Sequence, residues 1–369
     1  MQPVAERGGS DHAQLRLCRY LVAQGWEFHA VFPTAPPLAA ELKAAGAVVH
    51  VVPMRRLTRS AGRGYFLGYA RDWPVSVARL WQLGLRVRPS VVHSNSAHCW
   101  YGWPVAWLLR RPHVWHAREI VVQSGSALRL ERLLARYFAW RVAAVSGPVA
   151  DQFPGSKVVV VHDALGAEDG FSPGHAGHFR AGAGMSDELV LLGAAGRLDT
   201  WKGFDLLLDA FPLIRKQRPD VHLAIAGAPV PGKEAYAAHL EAKAGAMAGV
   251  HWLGARQDMA ELMADLDLFV LASTEPEPFA SSALEALACG VPVVAADHGG
   301  SPEMLAACPE AAGRLFAPRD ARALAEAALA VLPPWPSSTA RRRARPSCLV
   351  GDPTAFTKLF ELALSRAGH

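Results

Sequence analysis

Glu277 and Glu285 stand eight positions apart in residues 273–290, STEPEPFASSALEALACG. The apolar runs LDLFVLAS (266–273) and VPVVAAD (291–297) flank that stretch. The order reads strand, acidic loop, short helix, glycine stop, strand. Ser281 or Ser282 is expected to cap the helix, and Gly290 suits its left-handed exit. The helix start offers backbone N–H groups and the positive end of its dipole to an anion, while the two carboxylates accept hydroxyl protons. A ligand anionic in its middle and rich in hydroxyls at both ends fits, and a nucleotide-diphosphate sugar is one. Ser282-x-x-Glu285 also reads as a capping box, in which the Glu only tidies the helix start.

Residues 196–203, GRLDTWKG, follow the apolar run ELVLLGAAG and open the helical pattern FDLLLDAF. Arg197 and Lys202 therefore fall at the carboxyl end of a strand, where open α/β sheets bind ligands. A guanidinium and an ammonium there can neutralise a departing diphosphate. Alone, both read as surface cations on a loop; beside the carboxylate pair they read as a site.

Three further features are weaker. Gly8-Gly9-Ser10 before a helical pattern resembles an anion-binding turn, and it is not the G-x-G-x-x-G of a nicotinamide site. His116 ends the run HVWHARE at another strand end, where it can donate to a sugar hydroxyl or phosphate. Arg118 and Glu119 extend that polar cluster, and His93 has a similar placement. No H-E-x-x-H, D-x-D or Cys/His spacing argues for a metal. Trp100, Trp103 and Trp107 read as helix core.

Parallel α/β architecture must position these residues, because short apolar runs alternate with helical patterns almost throughout. Candidate strands start at Glu27, Val48, Ser90, His113, Arg141 and Lys157 in the first half. In the second half they start at Glu188, Val221, Val250, Leu266 and Val291. Residues 166–187 read as an interdomain linker, and residues 332–347, Pro-rich and basic, as an exposed loop. The expected domains are 1–165 on the acceptor side and 166–369, with a C-terminal helix, on the nucleotide-sugar side. The first domain lacks its opening strand: only the polar MQPVAER precedes Gly8, and a central strand should be apolar.

The chain of 369 residues is 51% hydrophobic and 19% charged, enough for two cores. Its net charge of +5 is uneven: the first 157 residues hold 20 Lys and Arg against 8 Asp and Glu, the rest 18 against 25. Arg55, Arg56, Arg59, Arg63 and Arg71 concentrate the excess. That pattern reads either as an attraction to an anionic membrane surface or as a solvated basic face. No nucleic-acid reader motif accompanies it. Five scattered cysteines point to reduced, buried thiols and a cytoplasmic protein.

Taken together, GRLDTWKGFDLLLDAF, VHLAIAG, VHWLGARQDMAELMADLDLFVLAST and EPEPFASSALEALACGVPVVAADHGGSPEML resemble the retaining glycosyltransferases of family 4, the group 1 glycosyl transferases. ERGGSDHAQLRL, VVHSNSAHCW and PHVWHARE resemble that family more loosely. The resemblance implies the GT-B architecture, two Rossmann-like domains facing a cleft. It implies that Arg197 and Lys202 grip the donor diphosphate, Glu285 the ribose and Glu277 the transferred sugar. Backbone at Phe279, Ala280 and Ser281 would face sugar and phosphates; Gly9 would lie near the diphosphate and His116 near the reacting carbon. The family's glycine after the Phe is here Ala280. The implied donor is a UDP- or GDP-hexose with no metal cofactor, and the acceptor a glycan or lipid-linked sugar at the inner membrane face. A non-catalytic nucleotide-sugar-binding protein with an incomplete first domain is the alternative.

Overall fold

The computed structural model describes residues 1–3, 8–55, 63–121, 125–334, 338–352 and 354–367. It divides into two compact units, Met1–Ala164 with Gly351–His369, and Leu165–Val350. The C-terminal helix Thr354–Ala367, expected with the second domain, thus belongs to the first. The reason is apolar: Phe356, Leu359 and Phe360 pack with Leu21, Val114, Ala143 and Val161 of the first unit.

The first unit contains β1 (His29–Phe32), β2 (Val48–Val51), β3 (Val92–Ser94), β4 (His113–Ala117), β5 (Arg141–Ala144) and β6 (Val158–Val160). All are parallel, but they form two sheets, β1–β2 and β3–β4–β5–β6. β4 is buried along its whole length, as a central parallel strand covered by helices on both faces should be. The helix Arg63–Val87 brings Val77 and Leu80 onto Val31 and Val52. Arg56 and Arg59 lie outside the described residues, as does the side chain of Arg63. Arg55 and Arg71 both pair with Asp72, at 2.8 Å each. Trp103, half-buried, packs on Phe138 with ring centroids 4.3 Å apart, and Trp107 is exposed, against the expected helix core.

The second unit contains β7 (Val190–Leu198), β8 (Val221–Pro229), β9 (Val250–Gly254), β10 (Leu268–Leu271), β11 (Val293–Ala296) and β12 (Gly313–Phe316). They make one parallel sheet in the order β12-β11-β10-β7-β8-β9. The strand order reverses between β7 and β10, so the carboxyl ends of those two strands border the crevice where such sheets take ligands. The edge strand β12, GRLF, is too short and mixed to announce itself in the sequence.

Three expectations about this unit are corrected. Residues 166–187 are no linker: they carry the helix His178–Ala183, and Arg180 is buried among Asp265 and Asp267. Residues 332–347 are not simply an exposed loop, because Arg342 in the helix Thr339–Arg343 is fully buried and Arg345 bonds Asp267 at 2.9 Å. Polar composition misled in both places, since these arginines are internal partners for two buried aspartates. Cys308 and Cys348 form a disulfide, against the expected set of reduced thiols; Cys18, Cys99 and Cys289 are free and buried.

Candidate functional site

The site is built where β7 and β10 end. After β7 the chain turns through Thr200–Lys202, and Gly203 holds φ at +72°, a conformation that favours glycine. A Cβ on Gly203 would lie 1.8 Å from the Ala272 carbonyl oxygen, so this turn is pressed against the end of β10. The Thr274 amide donates to the Trp201 carbonyl at 2.7 Å and ties the two loops together.

That closeness brings two of the expected residues into contact. Lys202 Nζ donates to Glu277 Oε1 at 2.5 Å, and Ser273 Oγ donates to Oε2 at 2.7 Å. Glu277 is buried; the Lys202 ammonium also lies 4.4 Å from the centroid of the Trp201 ring. Behind Glu277, the Gly300 amide donates to the Glu277 carbonyl at 2.8 Å. Gly299, at φ +60°, leaves no room for a Cβ, which would stand 2.1 Å from that same oxygen. The pair Gly299–Gly300 therefore clamps the acidic loop from β11.

The helix Ser281–Ala288 follows directly. Its N-cap is Ala280, in extended backbone at φ −82°, and no side chain caps it. Ser281 and Ser282 occupy the first turn instead, which removes both the serine cap and the capping box. The Ala280 carbonyl accepts from the Ala283 and Leu284 amides, leaving those of Ser281 and Ser282 at the head of the helix. Phe279 and Ala280 are buried, and Glu285 is half-buried one turn further on. Gly290 takes φ +67° as expected. Arg197 is exposed on β7. Burial opposes ionisation of nearby Asp199, yet the bonded Lys233 ammonium, with Arg197 further off, holds its carboxyl below the ordinary range.

His298 was not singled out from sequence. Both its ring nitrogens are buried without a hydrogen-bond partner, one residue before the glycine clamp. The available signal was the Gly-Gly pair after an apolar run.

In the first unit, His116 is 1% exposed in β4. Its ring lies 4.8 Å from Phe356 and 5.4 Å from His93, and its Nε2 is 3.4 Å from Arg118 Nη1. Burial first, then the Arg118 charge, pushes its pKa well below the usual histidine value, so the ring is neutral. Arg118 forms a bidentate pair with Asp163. Glu119 accepts from Ser96 Oγ and from the Ala97 and Arg118 amides. Gly9 is exposed at the first residue of the helix Gly9–Ala23, whose N-cap is Gly8; no side chain, including that of Ser10, caps it. Among the described residues no cluster of three His, Cys, Asp or Glu could hold a metal, and no helix is long and apolar enough to cross a membrane.

Comparison with known proteins places these features. Residues 190–333 match the family model described as glycosyl transferases group 1, and residues 8–153 match the glycosyl transferase 4-like domain. The lipopolysaccharide core biosynthesis mannosyltransferase LpsB of Rhizobium meliloti is 29% identical over 276 residues, 66% of this chain and 75% of that protein. Mannosylfructose-phosphate synthase of Agrobacterium fabrum is 36% identical over 129 residues, 32% of this chain and 27% of its own. Among solved structures, Anabaena HepE in complex with UDP-glucose superposes with a TM-score of 0.77 at 23% identity, covering 99% of this chain and 98% of HepE. WaaG, a glycosyltransferase involved in lipopolysaccharide biosynthesis, gives 0.60 at 17% identity, covering 100% and 94%. These likenesses fix the fold as GT-B.

Proposed function

Because the chain belongs to the group 1 glycosyltransferases, we propose that it moves a hexosyl group from a nucleotide-diphosphate sugar to a glycan or lipid-linked acceptor. The observation that carries this reading is the Lys202–Glu277 pair at the reversal point of the second sheet. Lys202 and Arg197 meet the diphosphate and stabilise it as it leaves. Glu277 accepts from hydroxyls of the transferred sugar, Glu285 from the ribose, and the backbone of Phe279, Ala280 and Ser281 lines the phosphates. Gly9 approaches the diphosphate, and His116, being neutral, can either donate to or accept from the sugar.

Transfer would retain the anomeric configuration. The bond from the anomeric carbon to the diphosphate oxygen breaks while one to the acceptor oxygen forms on the same face, and the acceptor proton passes to the departing phosphate. Two cations and a helix start supply the charge, so this reading needs no metal. HepE was crystallised with UDP-glucose and LpsB is named a mannosyltransferase, which makes UDP- and GDP-hexoses the first donors to try. The basic first 157 residues fit work at the inner membrane face.

The test is transfer, or slow hydrolysis, across a panel of UDP-, GDP- and ADP-sugars, read together with calorimetric donor binding. Turnover supports the enzyme. Binding without turnover supports the alternative, a non-catalytic nucleotide-sugar-binding protein, which the split sheet of the first unit favours.

A further inference from the structure

At the carboxyl ends of β3 and β4 the first unit carries a cluster built on Glu131, in the helix Gly125–Phe138. The Glu131 side chain has no exposed surface. Its Oε1 lies 2.6 Å from His98 Nδ1 and accepts from Trp100 Nε1 at 3.2 Å. A carboxylate only accepts, so His98 is the donor, through Nδ1. One carboxylate oxygen thus holds both an imidazole and an indole. The other oxygen, Oε2, is buried with no hydrogen-bond partner. A buried carboxylate bonded on one side only costs stability, and what it secures here is the position of two rings.

Those rings are placed for contact with a ligand. His98 and Trp100 are half-buried and lie in the turn between β3 and the helix Gly102–Leu108, so Trp100 is not the helix core expected from sequence. The turn is braced from beyond β4. Glu119 accepts from Ser96 Oγ and from the Ala97 amide at 3.0 Å, and Ser96 Oγ accepts from the His98 amide at 3.1 Å. The Gln152 side chain in turn donates to the Glu119 carbonyl at 3.1 Å. Such support fixes rings that would otherwise sample several rotamers.

The charge of this cluster is negative. The arginines next in sequence to its two carboxylates are already bonded, Arg118 to Asp163 and Arg132 to the Gln152 carbonyl. A phosphate brought to the turn would meet Glu119 and Glu131, and like charges repel.

We propose that His98 and Trp100, positioned by Glu131, form a subsite for an uncharged pyranose ring of the acceptor. This inference rests on the glycosyltransferase reading and adds the kind of acceptor that the chain takes. The C–H face of the ring lies on the indole and its hydroxyls bond the imidazole, which matches the apolar face and polar edge of a sugar. A neutral sugar is preferred to a sugar phosphate. Glu131 is a positioning residue and does not itself touch the acceptor.

The test uses the full chain, first without turnover. Saturation-transfer NMR with the methyl α-glycosides of mannose, glucose and galactose should show binding of at least one. The 6-phosphate of that sugar should bind more weakly. Trp100→Ala and His98→Ala should each weaken the glycoside about tenfold, while the Kd for UDP or GDP changes less than threefold. In transfer assays Glu131→Gln should raise the KM for the glycoside several-fold at unchanged kcat; a merely structural role would lower the Tm and leave KM alone. If that variant does not fold, the two ring variants decide. Absence of glycoside binding, binding that survives both ring substitutions, or preference for the sugar phosphate would overturn the proposal. Failure of every nucleotide sugar to bind or turn over would instead sink the transferase reading, and the NMR measurement would still decide whether the subsite exists.

Discussion

Lys202 and Glu277 are 75 residues apart in the chain and 2.5 Å apart in the second unit. Strand order does this: β7 and β10 are sheet neighbours, so the loops that leave their carboxyl ends must meet. Each side chain orients the other, Glu277 buried and Lys202 half-buried, so the pair stands preformed at the strand ends.

Lys202→Met should therefore weaken binding of a UDP- or GDP-sugar, and of the free diphosphate, by about 10- to 100-fold, the worth of a charge-assisted hydrogen bond. Glu277→Ala should remove turnover while the Kd for the bare nucleoside diphosphate changes less than threefold, since Glu277 is assigned to the sugar. Calorimetry with UDP against UDP-glucose separates the two. A Glu277→Ala protein that turns over at the parental rate would sink the assignment.

Gly299→Ala addresses the clamp. The added methyl meets the Glu277 carbonyl and the backbone sits at positive φ, so both overpacking and strain oppose it. The cost should be on the order of 2–4 kcal/mol, read as a lowered Tm, together with weaker donor binding. Gly182→Ala serves as control: its Cβ would meet nothing, and its effect should stay within about 0.5 kcal/mol.

All eleven strands that hydrophobic runs announced are present, and the acidic loop lies between two of them as the residue order demanded. Runs of Val, Leu and Ala are legible because a parallel strand buries both faces. What stayed illegible depended on partners distant in sequence. Arg180 and Arg342 look like surface charge until Asp265 and Asp267 are seen beside them. The C-terminal helix joins the first unit because its Phe356 and Phe360 fit there, which no local pattern encodes. Ser281 looked like a cap, yet Ala280 is the N-cap and Ser281 the first helical residue, a shift of one place that the serine composition of the segment does not reveal.

Arg342→Met tests the buried ion network. Arg342 meets Asp187, with its Nε 3.4 Å from Asp265, and Arg180 bonds Asp267 at 2.9 Å. Removing one cation leaves Asp265 less compensated in a dry interior, and roughly 3–5 kcal/mol should be lost. Urea unfolding should show it as a drop in midpoint without a change in slope. A midpoint within experimental error of the parent would mean that the neighbouring Arg180 and Arg345 suffice.

Acid should destabilise the first unit. His113 and His116 are fully buried and the Nε2 of His93 is buried too, and desolvation is the leading cause that depresses each of the three, His113 to about 3. Their folded forms stay neutral at pH values where the unfolded chain, with histidines near 6.5, takes up protons. The unfolded state therefore binds more protons below about pH 6.5, and stability falls as pH falls. Each imidazole contributes a slope of roughly 1.4 kcal/mol per pH unit, about 4 for the three together. Above pH 7 the slope from this source vanishes. Urea midpoints between pH 5 and 8 should be level above 7 and decline steeply below 6.5. His116→Phe, which keeps an aromatic ring beside Phe356 but cannot take a proton, should reduce the slope by about a third. A level profile down to pH 5 would show that these rings are charged or solvated in the folded protein, and with it the neutral role given to His116 would fall.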